Sequence, residues 1–162
     1  MINNMQHALL KVNSKIAHIG QWSIAFTTLI FCGAALAADS SGTLSIQVHG
    51  FTHERGHAIA NLFREGDDVL KPDKAYRHAQ AEIHDGKATI SFPDLAYGKY
   101  AVSVFHDEND NGILDHNAFK FPAEPLGFSN NFHLSFLSGF PSFGKLKFQF
   151  AADTGVLEIT LK

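Results

Sequence analysis

The sequence predicts an all-β protein, a single antiparallel β-sandwich of about seven strands with one long ordered loop. Three observations carry this expectation. Short stretches alternate apolar and polar residues with a period of two. Gly, Pro, Asn and Asp mark turns between them at close spacing. Beyond the N-terminal region, no stretch sustains the 3.6-residue apolar period of a long amphipathic helix.

The N-terminal region stands apart. Lys11 and Lys15 precede the apolar run Trp22 to Leu36, which closes in Ala35-Leu36-Ala37. Small residues one and three positions before a break, behind an apolar core, mark a secretory signal peptide. Residues 1–37 are therefore expected to be cleaved near Ala37, leaving a periplasmic or secreted domain over 38–162. Gln21, Ser23, Thr27 and Thr28 thin the run below the roughly 20 apolar residues of a membrane span. No transmembrane segment is expected in the mature chain. The single cysteine, Cys32, lies inside the leader, and Phe31 stands where a lipoprotein cleavage box needs Gly or Ala. A mature domain without disulfides must rely on core packing, a bound ion, or both. Removing Lys11 and Lys15 leaves 11 basic against 16 acidic side chains, a net charge near −5. That balance argues against nucleic acid as a partner.

Each strand follows from its own pattern. In Thr43 to His49, Leu44, Ile46 and Val48 share one face. Gly50 to Gly56 reads as a turn and His57 to Phe63 as a second strand, the two expected to pair as a hairpin. Arg64 to Lys74 is a polar connection. Ala79 to His84 and Lys87 to Phe92 flank Asp85-Gly86, the signal for a tight type I′ hairpin, because Gly tolerates positive φ. Tyr100 to Phe105 alternates again. His106 to Gly144 shows no helix or strand period, a connection of almost forty residues, and ordered loops of that length are usually functional. Leu146 to Phe150 and Val156 to Leu161 close the chain as a last pair of strands around Asp153-Thr154-Gly155. Thirteen of the fifteen Phe lie in the mature part, enough large apolar surface for one core.

Three stretches bear on family: Phe92 to Gly112, "FPDLAYGKYAVSVFHDENDNG"; Gly127 to Asn131, "GFSNN"; and Pro141 to Phe143, "PSF". In this order they resemble the DUF2141 family of exported bacterial proteins, over nearly all of the mature chain. The family is uncharacterised, so the resemblance implies a fold and an export route but supplies no activity. The motif Leu95 to Tyr100, "LAYGKY", is also similar to transthyretin-like and carboxypeptidase-regulatory-like sandwiches. This second likeness implies an immunoglobulin-like or transthyretin-like sandwich.

The strand Tyr100 to Phe105 runs into "HDENDNGILDHN", His106 to Asn117, with four acidic side chains, three Asn and no Lys or Arg. Counting Asp107 as position 1 puts Asn109 at 3, Asn111 at 5, Gly112 at 6, Ile113 at 7 and Asp115 at 9. This is the first half of an EF-hand-type loop, whose alternate positions turn oxygens, including one backbone carbonyl, toward Ca2+. Position 12 is Ala118 instead of a bidentate Glu, and no helices flank the loop. Glu124, another carbonyl or water must complete the shell, and affinity is expected in the weak extracellular range of about 10⁻⁴ to 10⁻³ M. The competing reading is a solvated turn whose Asp and Asn side chains bond their own backbone.

His49, His53 and His57 recur at intervals of four, but Gly50 and Gly56 break any helix, so surface histidines are expected in preference to a zinc site. A hydrolase using His106, Asp107 and His116 is a third reading. It lacks any nucleophile motif, and no enzymatic activity is expected. Phe119, Phe121, Phe128, Phe132, Phe136, Phe140 and Phe143 crowd the long loop. They either seal the sandwich edge or form a contact surface, for which Phe128, Asn130, Asn131, Phe140 and Phe143 are the candidate ligand contacts. Ser129, Asn130 and Asn131 are expected to bond the irregular backbone locally. Two functions follow as expectations: an exported, non-enzymatic cell-envelope module with a calcium-type loop, or a carrier or adhesion-type domain using the Phe-rich loop. The partner, an envelope protein or a small ligand, is not specified by these residues.

Overall fold

The computed structural model describes residues 40–135 and 137–162. The expected signal peptide and Phe136 lie outside the described residues. Eight strands form two sheets: β1 (Ser41–His49), β2 (His57–Phe63), β3 (Arg77–Glu82), β4 (Lys87–Ala96), β5 (Gly98–Asp107), β6 (Leu126–Phe128), β7 (Phe148–Phe150) and β8 (Val156–Thr160). The smaller sheet has the order β4-β1-β8, the larger β3-β2-β5-β6, with β7 also paired to β5. Among the described residues no helix is long and apolar enough to cross a membrane.

All seven expected strands are present, but their partners differ from expectation. β1 pairs with β4 and β8, while β2 pairs with β3 and β5. Neither the β1–β2 hairpin nor the final β7–β8 pair exists. The β1–β8 pairing is parallel, with Ile46 opposite Leu157 and Val48 opposite Ile159, so the arrangement is not purely antiparallel. The Asp85-Gly86 turn does form, with both residues at positive φ (51° and 71°) and His84 and Lys87 exchanging backbone hydrogen bonds of 2.8 and 3.0 Å. Beyond that bridge β3 and β4 diverge into different sheets. The cause is burial: each sheet needs its apolar face covered, and chain that steps from one sheet to the other supplies the cover.

The main core draws on both sheets. Leu44, Ile46 and Val48 from β1, Ile90 and Phe92 from β4, and Ile159 from β8 meet Ala60 and Leu62 from β2 and Val102 and Val104 from β5. In β4 the buried positions Ala88, Ile90 and Phe92 are followed by Leu95, with two exposed residues between instead of one. The extra residue is absorbed where Asp94 takes a φ of 51°, opposite the register shift between Gly42 and Leu44. Such a bulge lets one strand return its next apolar side chain to the core face.

β2 and β5 are buried along both faces. Their second face lies under the long connection, where Phe63 and Ala101 pack with Val69, Phe128 and Leu146, flanked by Phe132 and Phe143. The connection is therefore not devoid of regular structure. It contains β6, which pairs Val104 with Gly127, and a single helical turn, α1 (Phe143–Leu146). Sequence periodicity missed both because three or four residues are too few to display a period. Ser129 and Asn130 hold this layer, though not locally. The Ser129 hydroxyl accepts from the Val102 amide (2.9 Å) and donates to the Leu146 carbonyl (2.7 Å), and Asn130 donates to the Lys145 carbonyl (2.8 Å).

Candidate functional site

The central strand β5 ends at one edge of the larger sheet, beside the start of β2, with Ala58 opposite His106 and His57 opposite Asp107. Successive residues of an extended chain point to opposite sides. His106 and Asp107 therefore serve two different environments, although they are neighbours in sequence.

On the Asp107 side lies the acidic loop. Asp107 is buried, and its two carboxylate oxygens accept from the amides of Asn111 (3.1 Å) and Gly112 (2.7 Å). Asn109 Oδ1 also accepts from the Asn111 amide, and Asn111 Oδ1 accepts from Ile113 N (2.8 Å). The side-chain amides of Asn109 and Asn111 donate to the same oxygen of Asp115, at 2.7 and 3.2 Å. The chain reverses through Asp110 and Gly112, both at positive φ (58° and 74°), which is why position 6 of the loop is glycine. Glu124 enters from across the loop, 8% exposed, with its two oxygens accepting from Glu108 N and Asp115 N at 3.1 Å.

Asp107, Asn109, Asn111 and Asp115 are thus brought together around one turn, as their spacing predicts. Ile113 lies on the same turn with its side chain exposed, as befits a residue expected to offer only its carbonyl. The donor set fits a hard divalent cation: three carboxylates, two amide oxygens and no Lys or Arg within the loop. Turning the two Asn amides by half a rotation would present oxygen in place of nitrogen toward Asp115, at the cost of the bonds their oxygens accept from Asn111 N and Ile113 N.

On the opposite side, His106 is fully buried. Its Nε2 donates to the Arg55 carbonyl at 2.7 Å, and Phe51 packs against the ring in a T-shaped pair at a centroid distance of 5.1 Å. His53 leans over His106 with centroids 4.7 Å apart, and its Nε2 lies 3.3 Å from Glu108 Oε1. His53 is therefore not the solitary surface histidine expected. His106 and Asp107, paired in the hydrolase reading, do not face each other. The Asp107 carboxylate is committed to the loop amides and His106 to a carbonyl, and the strand alternation separates them.

His57 forms an ion pair with Asp110. That hydrogen bond with the carboxylate holds the His57 imidazole above its ordinary value, against a smaller opposing effect of burial.

The Phe-rich loop divides. Phe128 is buried on β6, and Phe143 packs into the layer beneath the connection. Phe119, Phe121 and Phe140 remain 82%, 60% and 74% exposed. Phe128 and Phe140 line one groove of about 330 Å³ with Leu114, Phe119, Phe121 and Leu134. Phe143 does not reach it. Asn130 is occupied with the Lys145 carbonyl, and Asn131 serves the turn through a left-handed φ of 51°.

Residues 46–157, from within β1 into β8, match the model of a family described as an uncharacterised protein conserved in bacteria, DUF2141. The chain belongs to this family. The matched span of this DUF2141 chain takes in the acidic loop, Glu124, the histidine cluster and the groove alike. Among curated proteins the chain is similar to the urease subunit alpha of Helicobacter hepaticus, 23% identical over 93 residues, which cover 57% of this chain and 40% of that protein. The similarity thus spans less than half of that relative. No solved structure matches the chain.

Proposed function

We propose that residues 38–162 form an exported, non-enzymatic β-sandwich of the immunoglobulin-like or transthyretin-like kind, released by cleavage near Ala37. In this reading it works in the periplasm or outside the cell as a binding or supporting module, its long connection organised by Ca2+ at Asp107, Asn109, Asn111, Ile113 and Asp115. One observation carries the proposal. The carboxylate of Glu124 is buried against the same turn as that of Asp107, in the role that Ala118 leaves vacant in the EF-hand pattern. Each carboxylate accepts two backbone amides, and a cation joining them would offset the remaining cost of burying two like charges in one loop without a cationic side chain. The two sheets sharing one core support the sandwich assignment, and the leader pattern supports export.

The test is thermal unfolding of the purified protein in excess EDTA and then in millimolar Ca2+. A ligand at 100 times its Kd adds about 2.7 kcal/mol, roughly 10 °C of midpoint for a domain of this size. A rise of several degrees with Ca2+ that Asp115→Asn removes supports the site. No shift up to about 10 mM, beyond the weak extracellular range, rejects it.

The exposure of Phe119, Phe121 and Phe140 around the apolar groove favours a second reading, a carrier or adhesion-type domain that grips an apolar ligand or partner segment. Soluble monomeric proteins seldom leave so many aromatic rings uncovered together. Saturable binding of a hydrophobic dye by the native protein, displaced by an apolar ligand, supports this reading. A native protein that leaves the dye dark argues against it.

A further inference from the structure

We propose that His53, His106 and Glu108 form a second metal site, distinct from the acidic loop, that takes a borderline divalent transition ion of the Zn2+ class. The argument begins with His106. A carbonyl oxygen can only accept, so the 2.7 Å contact of Nε2 with the Arg55 carbonyl fixes the proton on Nε2. In the neutral ring Nδ1 then carries a bare lone pair. That atom is buried, has no hydrogen-bond partner and belongs to a residue with 0% exposure. A buried acceptor is normally satisfied. This one faces Glu108 Oε1 at 3.8 Å, and the same oxygen is 3.3 Å from His53 Nε2.

The three candidate ligand atoms lie within 4.8 Å of one another. Bond lengths of about 2.0–2.2 Å from zinc to imidazole nitrogen and carboxylate oxygen place tetrahedral ligands roughly 3.3–3.5 Å apart. The 3.3 and 3.8 Å separations from Glu108 Oε1 are close to that geometry, and rotation of the partly exposed His53 or Glu108 side chain would close the remaining one. A plain ion pair between His53 and Glu108 would explain their contact but would give His106 Nδ1 no role.

The surroundings have the features of a metal site. The Nε2–H of His106 bonded to a carbonyl is the outer contact that fixes the tautomer and orientation of a ligating imidazole. Phe51 supplies an apolar wall against the same ring. The His53 and Glu108 side chains are 29% and 37% exposed, which leaves the ion a path in and one position open to water. Two imidazoles and one carboxylate suit zinc and its neighbours, whereas Ca2+ prefers an all-oxygen shell. His106 and Asp107 are successive residues at the end of β5 and point to opposite sides, so the His106 imidazole is separated from the Asp107 carboxylate that anchors the acidic loop.

The test is calorimetric titration of the purified, EDTA-stripped protein with Zn2+, repeated with Co2+ while recording its visible absorption. One equivalent of Zn2+ is expected, with a tetrahedral-type Co2+ spectrum. His53→Gln and Glu108→Gln should each weaken uptake by more than about tenfold, the scale on which even outer contacts matter. These two variants alter partly exposed side chains and are expected to fold; His106→Gln is added with circular dichroism as a folding control. Asp115→Asn should leave Zn2+ uptake unchanged. The proposal is overturned if the folded protein takes up no stoichiometric Zn2+, or if uptake survives in both Gln variants. Uptake lost in Asp115→Asn but kept in His53→Gln would also overturn it, by placing the ion in the acidic loop.

Discussion

Gly56 sits so close to Asp107 that a Cβ on the glycine would overlap the Asp107 carbonyl oxygen. This contact seats the turn before β2 against the end of β5, and so brings Arg55 and His53 to His106. Gly56 also has a φ of 78°. Gly56→Ala therefore combines left-handed strain with a backbone overlap. A loss of about 2–4 kcal/mol is expected from those two effects, measured by denaturant unfolding. A stability change below about 0.5 kcal/mol, the range of neutral surface substitutions, would show that the junction yields easily.

Glu124 accepts two backbone amides from inside the acidic loop. Glu124→Gln keeps the shape but halves the acceptor capacity and removes the charge. The expected cost is about 1–3 kcal/mol without metal, from weakened charge-assisted hydrogen bonds. Loss of the Ca2+-dependent midpoint shift should accompany it. A variant that keeps the full shift would exclude Glu124 from the ion's shell.

The His57–Asp110 pair gives a pH dependence with a definite sign. Because the folded-state pKa of His57 is raised, its contribution is fully present below the unfolded value of about 6.5. It is lost as pH rises through the folded value. The pair is open to solvent, with His57 partly and Asp110 well exposed, so the effect is small. Comparing denaturant midpoints near pH 5.5 and 8.5 (roughly the window in which His titrates), Asp110→Asn should remove part of the wild-type decrease. Equal decreases in both proteins would dissociate the pair from stability.

Ser129 is fully buried and bridges β5 to α1. Ser129→Ala leaves the Val102 amide and the Leu146 carbonyl without that partner. A loss of about 1–3 kcal/mol follows from two buried groups deprived of it, read as a lower denaturant midpoint with an unchanged slope. A neutral result would mean that water replaces the hydroxyl.

The two kinds of Phe in the long connection should respond in opposite ways. Phe119→Ser and Phe140→Ser alter exposed rings and are expected to reduce dye binding with little change in stability. Phe128→Ala, at 6% exposure, should cost about 3–5 kcal/mol by leaving a cavity. Strong destabilisation by Phe140→Ser would instead assign that ring to the fold.

The strands were legible where alternation runs for five or more residues, as in Leu44, Ile46 and Val48 of β1. The Asp85-Gly86 turn was legible because type I′ geometry needs positive φ at both central residues, and the chain places Asp and Gly there. β6 and α1 were not, being too short to show a period and held by contacts such as Ser129 to Leu146. Spacing alone located Asp107, Asn109, Asn111 and Asp115, because a single turn of chain gathers them. No spacing could have joined His53 to His106. Their proximity requires β2 to pair with β5 and the turn before β2 to fold over the strand end.

The sequence by itself therefore determined the positions of the seven longer-patterned strands, the polar turns, the acidic loop and its glycine. These are local properties, set by backbone sterics and by which side chains alternate along a few residues of chain. Only the tertiary structure decided the strand partners, the parallel β1–β8 pair and the meeting of His53, His106 and Glu108. It also decided which Phe rings lie buried and which face outward. Those outcomes depend on how two sheets and one long connection cover each other's apolar faces, a choice made among distant segments that no local pattern encodes.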